Sequence, residues 1–332
     1  MPSQSKVRVY FLSSGRIGVP IFDALCPEQE DTRLELVGIG SQQDKVAGRK
    51  KLLSPTPLAN HAQQKGRFVD KPDTVNNPSF LEHLKDLNVE LLVVASFGQI
   101  LKPAILDLPK YGCLNVHASL LPKCRGASPI AQVILDGDKK TGVSFMKMDP
   151  GLDTGPVYCE VPCQITEEDT VTTLEDKLGN IAAKNIVDVI CKIADGTIQP
   201  VPQPEEGCTY AKKIKKTDGA ADWNLPAQIL ARKVRAYCPW PSLYAILPAA
   251  NGSKRFSIKE AAVVDLEHNY APGTVLEASH QSFVIACGQG ALKIIKLIPE
   301  GRKEMSASAF FSGTSVAVGD SLPACTGDFL TK

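Results

Sequence analysis

Apolar positions in the N-terminal part of the chain fall in short runs separated by amphipathic stretches. Val7 to Leu12, Leu34 to Gly40, Glu90 to Ala95 and Cys113 to Val116 read as strands. Between them, Ile17 to Leu25, Pro57 to Gln64 and Phe80 to Leu87 read as helices, the last with Leu81, Leu84 and Leu87 on one stripe. This alternation predicts parallel strands joined by helices, an α/β domain with a Rossmann-like, mostly parallel sheet. Gly142 to Met148 reads as one more strand. Thr170 to Ala194 reads as a long helix whose apolar stripe runs Leu174, Leu178, Ile181, Ile186, Ile190 and Ile193, and Gly196 stops it.

From Gln199 to Glu206 prolines alternate with other residues, a pattern that forbids helix and sheet pairing, so an interdomain linker is expected there, near residues 199–216. Beyond it, Pro226 to Ala236 reads as a helix. Leu243 to Leu247, Phe256 to Ile258, Thr274 to Leu276, Ser282 to Ala286 and Leu292 to Ile298 read as short strands between glycine and proline turns. Short strands with a single helix predict a small OB-like β-barrel, an architecture that often serves as a nucleic-acid platform. The expected division is therefore a domain over 1–204 and a second over 205–332.

At 332 residues, with 43% hydrophobic and 22% charged side chains, the chain has the size and composition of a two-domain globular protein. No apolar run is long enough to span a bilayer, and Val7 to Leu12 begins too early to leave room for a signal or transit peptide, so a cytoplasmic location is expected. The 10 cysteines are scattered from Cys26 to Cys325, and Cys159 with Cys163, the nearest pair, has no second pair or histidine cluster to complete a metal shell. Free thiols and no metal are expected. The net charge of +1 is uneven: residues 1–204 hold 22 basic and 24 acidic side chains, and residues 205–332 hold 15 and 12. That slight basic excess is compatible with a nucleic-acid-facing second domain and equally with none.

The chemistry-bearing residues cluster after the fourth predicted strand. Asn115-Val116-His117 sits at a strand's C-terminal end, where open α/β sheets place their ligands. Residues two apart on a strand point to one side, so the Asn amide and the imidazole can converge and donate hydrogen bonds to one oxyanion. Asp153 lies in the turn-rich Met148-Asp149-Pro150-Gly151-Leu152-Asp153-Thr154-Gly155, and if that loop folds over His117 its carboxylate can orient the ring. Asp149 is expected only to cap the turn. By contrast, Ser13-Ser14-Gly15-Arg16-Ile17-Gly18 has only part of the glycine spacing that a dinucleotide's pyrophosphate requires, and is not read as an NAD or FAD site.

From Leu114 to Gly155 the sequence LNVHASLLPKCRGASPIAQVILDGDKKTGVSFMKMDPGLDTG closely resembles the formyltransferases that use 10-formyltetrahydrofolate. Asn115, His117, the Ser119-Leu120-Leu121-Pro122 segment, Gly126 and the Asp153 of the LDTG loop all have counterparts in that family. The resemblance implies that Asn115, His117 and Asp153 are the catalytic trio. It implies as well that the folate co-substrate is enclosed by Phe97, Gly98, Gln99, Ile100, Ser119, Leu120, Leu121, Pro122, Met148, Asp149, Gly151, Leu152 and Thr154. Cys124 departs from the pattern, since relatives often carry tryptophan there.

Features outside this core resemble the branch of the family that formylates initiator methionyl-tRNA. Gln43 to Leu52 looks like a basic insertion after the second strand, with Arg49, Lys50 and Lys51 facing the acceptor end of tRNA. Thr209-Tyr210-Ala211-Lys212-Lys213-Ile214, Asp222-Trp223 and Arg235 to Pro241 match the start of that branch's C-terminal domain. The resemblance implies initiator methionyl-tRNA as partner, with Lys212, Lys213, Lys215 and Lys216 tracking its backbone; nothing points to an obligate protein partner. The alternative readings are transfer to a small amine such as an amino sugar, a folate- or RNA-binding module without catalysis, and hydrolysis of the formyl-folate.

Overall fold

A computed structural model describes residues 6–26, 33–47, 52–248, 253–279, 282–311 and 316–324. Arg49, Lys50 and Lys51 lie outside them. The chain divides into two compact units, one made of Met1–Pro129, Lys139–Ile165 and Thr173–Lys212, the other of Ile130–Asp138, Thr166–Thr172 and Lys213–Lys332.

As far as Lys212 the chain runs β1 (Val7–Ser13), α1 (Gly18–Leu25), β2 (Leu34–Gly40), β3 (Lys45–Ala47), β4 (Leu52–Ser54), α2 (Pro57–Gln64), α3 (Pro78–Asp86), β5 (Leu91–Ala95), α4 (Pro103–Leu106) and β6 (Cys113–His117). It continues through β7 (Arg125–Gly126), α5 (Pro129–Asp136), β8 (Lys140–Lys147), β9 (Val157–Gln164), α6 (Val171–Ala194) and β10 (Tyr210–Ala211). Local chemistry sets the helix starts. The Thr56 hydroxyl accepts from the Ala59 amide at 3.2 Å and the Asn77 side chain from Phe80 N at 2.7 Å, each followed by a proline whose missing N–H costs nothing in a first turn. All five residues of β5 are buried, the near-continuous apolar run of a strand covered on both faces. Phe80 and Leu84 of α3 pack with Tyr10, Leu12, Leu92 and Val94 in one core cluster.

Six strands form one sheet in the order β2-β1-β5-β6-β8-β9. The strands β2, β1, β5 and β6 are parallel, as the alternation predicts. The strand predicted from Gly142 instead runs antiparallel to β6, and β9 antiparallel to it in turn. Periodicity carries no direction, so the reversal is invisible in the apolar pattern. The strand β9 was not expected at all: as an edge strand it leaves Glu160, Pro162 and Gln164 beside apolar positions and tolerates a proline.

The proline-alternating segment departs from expectation too. Val201 keeps its amide between Pro200 and Pro202 and exchanges two 2.8 Å backbone bonds with Val157. Further on, β10 pairs in parallel with β7. Prolines remove only their own donors, and here those donors are not the ones the pairing uses. Residues 199–211 thus form a strap across the first unit.

In the second unit follow α7 (Ala227–Ala236), β11 (Leu243–Leu247), β12 (Lys254–Val264), β13 (Val275–Ala278), β14 (Phe283–Ala286), β15 (Ala291–Pro299), β16 (Met305–Ser306) and α8 (Ala307–Phe311). The sheet order is β11-β12-β15-β14-β13, with β16 on β15, a curled antiparallel half-barrel of OB-like kind. Register shifts between Ile258 and Ala261 bend β12, so that Lys254 to Ile258 serve β11 while Phe256 to Val264 serve β15. The apolar pattern marks only Phe256 to Ile258 because beyond them exposed side chains interrupt it. Trp223, Leu230, Phe256, Phe283 and Leu292 fill the core.

Among the described residues no helix is long and apolar enough to cross a membrane. Burial pushes the thiols of Cys113 and Cys287 up to about 12. A buried thiol favours the neutral form, so its stabilisation is complete below the unfolded-state value of 9.0 and is lost as pH rises from there toward 12. Both cysteines should resist iodoacetamide in the native protein at pH 8 and react once it is unfolded. Denaturant midpoints should fall above pH 9, with a slope of at most about 1.4 kcal/mol per pH unit for each thiol; modification of native Cys113 or Cys287 at pH 8 would contradict this.

Candidate active site

Alternation along β6 puts Asn115 and His117 on one face, where both are buried, 9% and 5% exposed. The loop after β8 supplies the third group. It leaves the sheet beside Cys113, whose carbonyl accepts from Met148 N at 2.8 Å, and brings Asp153 to both side chains. Asn115 Nδ2 donates to Asp153 Oδ1 at 3.2 Å. His117 Nδ1 lies 3.7 Å from Asp153 Oδ2, an ion-pair separation longer than a hydrogen bond. The carboxylate therefore faces the ring without orienting it directly.

What orients the ring is a backbone carbonyl. His117 Nε2 stands 3.0 Å from Cys124 O, and since a carbonyl only accepts, Nε2 carries a proton. In the neutral ring Nδ1 is consequently the bare nitrogen beside Asp153; in the charged ring both nitrogens donate. Cys124 is fully buried and left-handed, at φ 60°, so the contribution of this position to the site is its main chain.

Asp153 is also left-handed, at φ 54°, an uncommon backbone state for a residue bearing a side chain. Several contacts hold it. Its Oδ2 accepts from Gly126 N at 2.8 Å, and Gly126 occupies φ 115° with Ala211 O only 2.7 Å from where a Cβ would stand, so only glycine fits. The Gln203 amide donates to Asp153 O at 2.9 Å and Gly155 O at 2.7 Å, while its carbonyl accepts from Arg125 Nε at 2.9 Å and Nη2 at 2.7 Å. Thr209 joins the same strap: its hydroxyl accepts from Cys124 N and its carbonyl from Arg125 N, each at 2.9 Å. Sequence reading missed Gln203, because a polar residue among prolines carries the pattern of a linker, and it gave Arg125 and Thr209 no place at the site.

The other expected site residues divide by environment. Phe97 and Met148 sit in or against the core cluster around Tyr10 and Leu92, while Ile100 and Leu152 are 76% and 57% exposed. Asn76 donates to Ile100 O at 2.8 Å and Val75 N donates to Gln99 at 3.1 Å, pinning the loop that also holds Gly98. In the turn Ser119 to Pro122, Ser119 and Leu121 are buried. There Leu121 N donates to the Ser144 hydroxyl at 3.0 Å, and Ser144 donates to Ser119 O at 2.7 Å. Asp149 behaves as a turn cap, accepting from Gly151 N at 3.0 Å and the Thr154 hydroxyl at 2.8 Å. Lys212, Lys213, Lys215 and Lys216 are exposed.

At the first turn the helix-start amide is already occupied. Glu175 accepts from Ile17 N at 3.2 Å, and burial raises its carboxyl above the usual range. A carboxylate from within the chain thus fills the place where a dinucleotide phosphate would bind. Among the described residues no cluster of three or more His, Cys, Asp or Glu could hold a metal.

Residues 7–190 match the family described as Formyl transferase, and residues 213–315 match Formyl transferase, C-terminal domain. A protein of Xanthomonas campestris pv. campestris strain 8004 named methionyl-tRNA formyltransferase is 42% identical over 297 residues, 89% of this chain and 95% of that protein. One of the same name from Stenotrophomonas maltophilia is 44% identical over 84% of this chain and 90% of its own length. Among solved structures, a sugar 3N-formyl transferase, WlaRD, aligns with a TM-score of 0.61 at 16% identity, covering 90% of this chain and 99% of that one. HypX from Aquifex aeolicus in complex with tetrahydrofolic acid aligns at 0.60 and 14% identity over 95% of this chain, which spans about half, 51%, of HypX. These two likenesses speak for the fold alone. The two family matches and the extent of the sequence identity lead to one conclusion: the chain belongs to the formyl transferase family.

Proposed function

We propose that this chain transfers the formyl group of 10-formyltetrahydrofolate to the α-amino group of methionine esterified to initiator tRNA. The observation that carries the reaction is the meeting of the Asn115 amide, the His117 ring and the Asp153 carboxylate on one face of β6. The choice of acceptor draws on the relatives named above.

In this reading the amine lone pair bonds to the formyl carbon and the carbonyl π pair moves onto oxygen. Two donors remain for that oxyanion: the second proton on Asn115 Nδ2, and Nδ1–H of a charged His117, whose Nε2 is held by Cys124 O. Asp153, 3.7 Å from Nδ1, balances the imidazolium and, directly or through water, takes the proton the amine must lose. Collapse re-forms the formyl C=O, breaks its bond to N10 and returns a proton to that nitrogen, leaving formylmethionyl-tRNA and tetrahydrofolate. No redox step or metal enters this balance.

For the pterin, the exposed side chains of Ile100 and Leu152 offer apolar contact, while Phe97 and Met148, packed inward, contribute main chain and support. Backbone groups of Gly98, Gln99, Ser119, Leu120, Leu121, Pro122, Asp149, Gly151 and Thr154 complete this proposed enclosure. Lys212, Lys213, Lys215 and Lys216, with Arg49, Lys50 and Lys51, are assigned to tRNA phosphates, where affinity falls with salt.

Formyl transfer should be followed with 10-formyltetrahydrofolate and, in separate arms, methionyl initiator tRNA, a small amine such as an amino sugar, or water. Transfer to the tRNA is expected; preference for another arm would replace the acceptor. Asn115→Ala, His117→Ala and Asp153→Ala should each lower kcat by about 10²- to 10³-fold while tRNA affinity changes little. Near-normal turnover in all three would remove the site. Neutralising Lys212, Lys213, Lys215 and Lys216 should weaken tRNA binding and lower the slope of log K against log salt by about 1 for each phosphate left without a lysine partner; an unchanged slope would exclude this segment.

A further inference from the structure

The Asp153 loop is gripped by a side chain that the proposed chemistry does not use. Gln203 reaches across 50 residues of sequence and spends both amide protons on main-chain carbonyls of the loop, Asp153 O at 2.9 Å and Gly155 O at 2.7 Å. These carbonyls flank the turn in which Asp153 adopts φ 54°. Left to itself a non-glycine residue relaxes out of that region, and such conformations persist only where the surroundings over-determine them. The Gln203 amide cannot turn over to present its oxygen, because Arg125 grips that oxygen with two donors at 2.9 and 2.7 Å. Arg125 is itself fixed through its backbone, since its amide donates to Thr209 O at 2.9 Å. It precedes Gly126, whose amide holds Asp153 Oδ2 at 2.8 Å. One bracket therefore clamps both ends of the same residue: Gly126 and Asn115 fix the carboxylate, and Gln203 fixes the peptide behind it.

We infer that Gln203 is a positioning residue for formyl transfer, acting through Asp153, with Arg125 setting the orientation of its amide. The inference rests on the reading of Asp153 as a catalytic residue. A donor pair aimed at two carbonyls is specific: methionine keeps the length and removes both bonds, and glutamate would turn carboxylate oxygens toward carbonyl oxygens. Because the side chain grips the Asp153 loop and no group assigned to the tRNA, its loss should alter turnover and leave tRNA binding unchanged.

The test is a double-mutant cycle in the full-length protein, with 10-formyltetrahydrofolate and methionyl initiator tRNA as substrates. Gln203→Met should lower kcat by about 10- to 100-fold, the scale expected when a reacting group is displaced by about 1 Å, with KM for methionyl initiator tRNA within about twofold of wild type. In an Asp153→Asn background, already slow, Gln203→Met should cost nothing further, because the group it positions has lost its role. Arg125→Met should give a smaller loss of the same kind that also vanishes in that background. This second variant carries the test if Gln203→Met does not fold.

Wild-type kcat in folded Gln203→Met, or a loss of equal size in both backgrounds, would overturn the positioning role. An increase in KM without a fall in kcat would overturn it as well. Wild-type turnover in Asp153→Asn alone would mark the failure of the catalytic reading itself, a result separable from the others because it needs no change at Gln203.

Discussion

A carboxyl side chain only 15% exposed, on a residue in the left-handed backbone region, is a demanding object to hold in place, and the geometry of this site depends on it. Neither the isolated loop nor the sheet beneath would keep Asp153 where it stands. Its oxygens are divided between a side-chain amide from β6 and a backbone amide from β7, and its peptide is tied from behind. Each tie requires another part of the fold to be in register. The Gly126 amide is available only because β7 pairs with β10, which brings Ala211 O so close that no side chain could stand at that position.

The same arrangement fixes which nitrogen of the imidazole keeps its proton. With Nε2 committed to a carbonyl, protonation changes only what Nδ1 presents to the carboxylate opposite, so the ring works as a one-sided group. Burial of Asn115 and His117 strengthens this, since donors in a low-dielectric setting act with little competition from water. Cys124 offers the ring its carbonyl, a service the identity of the side chain does not govern.

Much of this is legible in the sequence, and the reason differs from element to element. The helices α2 and α3 carry their own caps and prolines, and β1, β2, β5 and β6 carry apolar runs, so each is written in its own residues. Asn115 and His117 declare their common face by being two apart. The direction of β8 is not local information, and the edge strand β9 has too mixed a composition to show itself. Least visible is Gln203. Its meaning lies in partners 48 and 50 positions away in the chain, and prolines on both sides disguise it as spacer. The hydrogen bond between Asn115 and Asp153 likewise joins residues 38 apart, which spacing alone could suggest but not place.

The strap of residues 199–211 gives the molecule an unusual point of vulnerability. It holds the Asp153 loop from behind, yet at Glu205, Glu206 and Gly207 it lies exposed. Proteolytic nicking there would leave both compact units with their cores whole while slackening the tether that keeps one carboxylate upright. A chain so cut would keep its secondary structure, and its injury would be confined to the loop that carries Asp153.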